Sequence, residues 1–227
     1  MKRDYFKIFL LRTIGNFLVL SAIAGVVLTF APAVSAEVHY RWDQVIGRTY
    51  VVAGQAPTSP AGSAGQGGFG KLVANPPLLI KPMNTDFGVV IPKINANARV
   101  IANVDPGNPA EYLVALKEGV AHAAGTAYPG QVGNSVLFAH SVGNFWEVNQ
   151  WNAVFYLLRE LNPGDEVDVF YQGKRYFYQV YDKRIVDPNE VGYLSREADF
   201  AKLTLQTCWP PGTTLKRLLV FAKLRSS

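Results

Sequence analysis

The chain has 227 residues, 49% hydrophobic and 17% charged, with a formal charge of +5. That balance excludes an intrinsically disordered chain, and the length suits one well-buried domain with additions rather than two full domains. The mild positive charge comes without a run of Lys and Arg interleaved with aromatics, which argues against a nucleic-acid binder.

At the N-terminus, Lys2, Arg3, Lys7 and Arg12 precede residues 13–36, which are 24 positions without a charge. As a helix these would reach about 36 Å at ~1.5 Å per residue, against a hydrocarbon core of ~30 Å. Positive charge before the span and Glu37 after it predict a cytoplasmic N-terminus, with the rest outside. Val34-Ser35-Ala36 also fits a signal-peptide cleavage site. The apolar stretch is long for a signal-peptide core, which favours an uncleaved anchor, and either reading exports the bulk of the chain. Residues 1–36 are thus expected to be a basic tip and anchor, and residues 37–77 an extracytoplasmic stalk. Within the stalk, residues 53–70 read AGQAPTSPAGSAGQGGFG. This Gly/Ser/Pro/Ala segment has almost no charge and cannot bury enough apolar surface to fold alone.

Residues 78–227 are the expected folded domain. Short strand-like runs alternate with turn signals there. Strands are predicted at 87–91, 98–103, 135–140, 201–208 and 217–224. A hairpin joins 166–171 to 175–186 around Gln172-Gly173, with a period of two in Tyr176, Tyr178 and Val180. A short helix is predicted over 110–117, with Asn108 as cap, Pro109 at the first helical position and Gly119 at the exit. Another is predicted over 152–161, ended by Asn162-Pro163-Gly164. Eleven Tyr and thirteen Phe fit a β-rich core. Roughly eight short strands with few helices argue for a closed barrel or a sandwich.

The single cysteine, Cys208, forms no intramolecular disulfide and no metal cluster; alone it reads as a small buried hydrophobe. Its context changes that. Phe138-Ala-His-Ser141 ends one apolar strand, Thr204-Leu-Gln-Thr-Cys208 ends another, and Arg217 starts the last strand. Strand ends are where a rigid scaffold displays reactive groups. Together the three supply a nucleophile, a proton-transfer group and a fixed cation, which acyl transfer needs. A thiolate and an imidazolium with ordinary pKa values near 8.5 and 6.5 coexist in only about one percent of molecules at neutral pH. Either the site couples the two groups or turnover is slow.

Thr204-Leu-Gln-Thr-Cys208 resembles the TLxTC signature of the sortase family. Arg217-Leu-Leu-Val220 resembles its arginine strand, and residues 133–140, GNSVLFAH, its histidine strand. Gly119-Val-Ala-His122, Gly125-Thr-Ala-Tyr-Pro-Gly130 and Val90-Ile-Pro-Lys-Ile94 also resemble family sequence. The likeness covers about residues 78–226 and is of class D/E type. It implies an all-β fold, a closed eight-stranded barrel with one or two short helices, preceded by a transmembrane helix. It implies a cysteine transpeptidase, anchored by a single membrane pass, that cleaves a Leu-Pro-x-Thr-Gly-like motif. In that role Cys208 is the nucleophile, His140 the general acid/base and Arg217 the holder of substrate or oxyanion. Expected partners are surface proteins or pilins bearing the motif, and an amine acceptor such as a cell-wall precursor.

Three further residues are candidates for the substrate site. His122 is read in a Gly/Ala-rich loop, where an alternative base, a structural role and a substrate-lining role are all open. Thr207 lines the site or satisfies a strand hydrogen bond, and Trp209 walls the pocket or packs on the barrel. Asp165, Glu166 and Asp168 raise calcium, which some sortases use, but three acids beside a turn more often form a solvated edge; no cofactor is expected. The order of His before Cys disfavours a papain-like protease. The 68 positions between His140 and Cys208, with Trp209 rather than Arg next, disfavour an L,D-transpeptidase. A catalytically inactive peptide-binding barrel and a hydrolytic sortase-like protease remain as alternatives.

Overall fold

The computed structural model describes residues 2–53, 76–141, 154–195 and 197–226. The chain forms two compact units, Met1–His39 and Tyr40–Ser227. The first is helical, part of α1, which runs Lys2–Val45. Within it Tyr5–Val27, at mean hydropathy 1.8, is long and apolar enough to cross a membrane. This window starts earlier than the uncharged stretch at 13–36, because apolar residues around Lys7 and Arg12 outweigh those two charges.

The second unit carries ten strands among the described residues. They are β1 (Tyr50–Val52), β2 (Leu78–Ile80), β3 (Phe87–Ile91), β4 (Ala96–Val104), β5 (Val120–Ala123), β6 (Gly133–Phe138), β7 (Glu166–Tyr171), β8 (Lys174–Val186), β9 (Ala201–Trp209) and β10 (Lys216–Ser226). Eight of them close into a barrel in the order β10-β8-β7-β3-β4-β5-β6-β9. This is the closed eight-stranded form. Parallel neighbours need a crossover. Between β4 and β5 it is helix α2, Pro109–Glu118.

β3 is buried at all five residues because both of its faces are covered. Val89 and Ile91 join the barrel core. Val90 joins Val52, Ile80 and Phe170 in a satellite cluster with β1 and β2, which pair in parallel. Part of the expected stalk, Tyr50–Val52, is therefore a strand packed on the barrel. The Gly/Ser-rich residues 54–70 lie outside the described residues.

The hairpin between β7 and β8 turns at Gln172 and Gly173, both with positive φ (52° and 75°), the primed-turn geometry that matches strand twist. Asn108 stands at the cap position of α2 without a side-chain cap bond. Asp105 accepts from the Gly107 N–H, and Glu111 accepts from the Asp105 N–H, so those acids order the turn instead. The helix expected over 152–161 is, within the described residues, only a 3-10 turn at Leu158–Glu160. Pro163 disfavours helix just before it. Lys183 Nζ takes the carbonyls of Arg159 and Leu161, so these are satisfied without helical bonds.

One buried charge cluster carries a pH prediction. Asp168 is fully buried on β7, and Arg175 donates to it at 2.7 Å and to Glu166 at 2.9 Å. One guanidinium thus serves two carboxylates. Burial, then Glu166, pushes the Asp168 carboxyl up to about 8. Through neutral pH the folded state holds a proton that the unfolded chain has lost. This contribution is full below the ordinary carboxylate pKa near 4 and is lost as pH rises through about 8, at most about 1.4 kcal/mol per pH unit. Tm is expected to fall from pH 5 to pH 8, and less steeply in Glu166→Gln, where Arg175 serves Asp168 alone. Equal slopes in the two proteins would refute this.

Candidate active site

β6 and β9 run parallel in constant register, from Gly133↔Ala201 to Phe138↔Gln206. Every pair is 68 positions apart, which is also the separation of His140 and Cys208. The Ala139 N–H donates to the Gln206 carbonyl at 3.1 Å, carrying the ladder one step past the strand. One step more brings His140 level with Cys208. On the other side β9 and β10 run antiparallel, with Arg217 directly opposite Cys208. Directly opposed residues share a face, with Cβ atoms about 4.5–5.5 Å apart. His140, Cys208 and Arg217 therefore stand in a row across three neighbouring chain segments.

All three line one cavity of about 420 Å³. Cys208 and Arg217 are half-buried there, as is His140. Arg217 Nη1 donates to the carbonyls of Thr214 and Lys216, both at 3.1 Å. These bonds fix the guanidinium and occupy one of its three nitrogens. Among the described residues nothing accepts from Nε or Nη2, so donors remain for an anion.

Thr207 is buried and lines the same cavity, and its Oγ1 donates to the Ala139 carbonyl at 2.9 Å. It clamps the end of β9 to the segment carrying His140. Trp209 is half-buried against the barrel core and is not among the cavity's lining residues.

His122 lies on strand β5, not in a loop, at 1% exposure and away from the cavity lining. Its Nδ1 accepts from the Asn103 N–H at 3.4 Å, leaving Nε2 to donate to the Ala127 carbonyl at 3.1 Å. Thr126 Oγ1 is also 3.1 Å from Nε2, and the ring stacks on Tyr128 at 4.8 Å. Burial lowers its pKa, with the Ala127 bond pulling the other way. Both nitrogens are occupied inside the protein, so this side chain is built as a neutral structural histidine.

The acids that raised calcium face cations of the protein. Asp165 pairs with Lys93 at 2.7 Å, and Glu166 and Asp168 share Arg175. Among the described residues no group of three or more His, Cys, Asp or Glu side chains converges to hold a metal ion.

Two cavity residues escaped the sequence reading. Tyr193 sits on α3, Gly192–Ser195, and its phenol donates to Gln206 Oε1 at 2.5 Å. Burial pushes that phenol up to about 12, with Arg217 pulling it down and Cys208 pushing it up. Gln206 was visible only as the variable position of the TLxTC motif. Nothing local in Val191-Gly-Tyr-Leu-Ser195 marks a site, since the contact is made across the fold.

Comparison with known proteins gives a consistent result. The family model for the Sortase domain matches residues 89–225. Sortase D of Bacillus subtilis (strain 168) is 26% identical over 136 residues, covering 59% of this chain and 60% of that protein. The matched region is thus less than two thirds of that relative's length. The lid mutant of sortase A from Corynebacterium diphtheriae superposes with a TM-score of 0.52 at 25% identity, over 63% of this chain and 72% of that one. Clostridium perfringens sortase C, solved with the C-terminal cell wall sorting motif, superposes with a TM-score of 0.51 at 28% identity, over 63% of this chain and 72% of that one.

Proposed function

The chain belongs to the sortase family of cysteine transpeptidases, and on that premise we propose that it cleaves a Leu-Pro-x-Thr-Gly-like motif and passes the acyl group to an amine. The observation that carries this reading is the row of His140, Cys208 and Arg217 at one cavity. The thiolate of Cys208 attacks the carbonyl of the motif's Thr. Nη2 and Nε of Arg217 donate to the oxyanion that forms. His140 gives its proton to the leaving amine, and a thioester to Cys208 results. The incoming amine then attacks the thioester, His140 takes its proton, and Cys208 leaves as thiolate.

The substrates in this reading are surface proteins or pilins bearing the motif, and the acceptor is an amine such as a cell-wall precursor. The Clostridium perfringens relative solved with a sorting motif supports that substrate class. The helix at Tyr5–Val27 serves as a single-pass anchor, with Lys2 and Arg3 inside and the barrel of residues 78–227 outside.

The test uses the full chain in detergent with a library of quenched Leu-Pro-x-Thr-Gly-like peptides plus triglycine, with products read by mass. A cleaved and ligated product is expected. Hydrolysis without ligation would replace transpeptidation with a hydrolytic activity. No product from any peptide, with a Cys208 thiol inert to alkylation, would replace it with a peptide-binding barrel.

A further inference from the structure

Gln206 and Cys208 alternate onto one face of β9, two residues apart, and both line the cavity. That spacing is about 6.8 Å along a strand. An extended peptide repeats its carbonyls on one side at the same interval. A peptide laid along β9 with its scissile carbonyl at Cys208 therefore sets a second carbonyl beside Gln206.

The amide of Gln206 is oriented for that carbonyl. Tyr193 donates its phenol proton to Oε1, which turns the NH₂ end away. No described residue accepts a hydrogen bond from Nε2. The phenol is itself held from behind. Tyr193 is 6% exposed, and its backbone carbonyl accepts from Asn134 Nδ2 at 2.7 Å. Asn134 Oδ1 accepts from Thr204 Oγ1, also at 2.7 Å. Thr204 lies on β9 two residues before Gln206. β9 thus grips the Tyr193 segment twice, once through Asn134 and once through Gln206. A neutral amide donor suits a neutral carbonyl, whereas the charged donors of Arg217 suit the oxyanion.

We propose that Gln206 is a substrate-binding residue whose side-chain amide, oriented by Tyr193, donates a hydrogen bond to a backbone carbonyl of the bound peptide. The proposal rests on the transpeptidase reading. Tyr193 is a positioning residue in it, acting through Gln206.

The experiment measures KM and kcat for the full chain in detergent, using the library peptide that the unaltered chain cleaves fastest. Tyr193→Phe, Gln206→Leu and the double variant are compared. Alkylation of Cys208 by iodoacetamide is followed in each, as a readout of an intact site. Loss of one neutral hydrogen bond corresponds to about a 2- to 12-fold change. Gln206→Leu is expected to raise KM in that range with kcat little changed. Tyr193→Phe should raise it less, and the double variant should match Gln206→Leu alone. Alkylation rates should stay within about twofold in all three.

An unchanged KM in Gln206→Leu overturns the proposal. So does an additive double variant, because Tyr193 would then act by another route. A fall in alkylation parallel to the loss of turnover also overturns it, leaving the pair a purely structural clamp. If the unaltered chain cleaves no peptide in a Cys208-dependent way, the transpeptidase reading itself falls. Cleavage with unchanged KM removes only the role of Gln206.

Discussion

Cys208→Ala is expected to lower peptide cleavage and transfer by on the order of 10⁴-fold or more. The loss is large because the thioester has no other atom on which to form. Cys208 is the only cysteine, so no second thiol replaces it. His140→Ala should fall nearly as far, because groups that act as one unit are not additive. The double variant is expected to be no worse than Cys208→Ala. Neither substitution should unfold the barrel, since both residues are half-buried at strand ends. Mass detection of product, with circular dichroism as the folding control, decides the matter. Turnover in Cys208→Ala within about tenfold of the unaltered chain would remove Cys208 as nucleophile.

Arg217→Ala is expected to cost about 10²–10³-fold in kcat/KM, the range for removing a preorganised oxyanion donor. Cross-strand placement opposite Cys208 keeps the guanidinium within reach of whatever carbonyl the thiolate attacks. The bonds from Nη1 to Thr214 and Lys216 set its orientation. Arg217→Lys is the sharper variant. It keeps the charge but replaces a planar fork with a single ammonium that cannot hold those carbonyls and reach the oxyanion together. It should recover less than a tenth of the lost rate. Full activity in Arg217→Lys would reduce the residue's role to a positive charge. If kcat/KM fell through KM alone, Arg217 would bind substrate in the ground state rather than stabilise the oxyanion.

Much of the fold was legible in the sequence, because strand periodicity and turn residues are local. The hairpin at Gln172-Gly173, the last two strands and the helix after Pro109 all stand within a few residues of expectation. The three central residues were legible as types at strand ends. What brings them together is not local. It is the 68-residue offset between β6 and β9, a register that emerges only when the barrel closes. His122, read in a loop, lies on strand β5, and the two readings of Trp209 stayed open in the sequence for the same reason. Whether a side chain faces a cavity or its own neighbours depends on strands far away in sequence. Tyr193 was invisible, since a tyrosine on a one-turn helix carries no signal until the strand bearing Gln206 lies against it.

The pairing of β1 with β2 bears on how the protein tolerates change in length. Val52 sits beside Ile80 and Tyr50 beside Leu78, and the Ala53 N–H donates to the Ile80 carbonyl at 2.8 Å. The chain thus leaves β1 at Val52 and enters β2 at Leu78, beside Tyr50, so the connection between them is an excursion between neighbouring ends. Doubling such an excursion costs only about 0.6 kcal/mol of closure entropy. A tag inserted between residues 53 and 77 is therefore expected to leave the pairing of β1 with β2 in place.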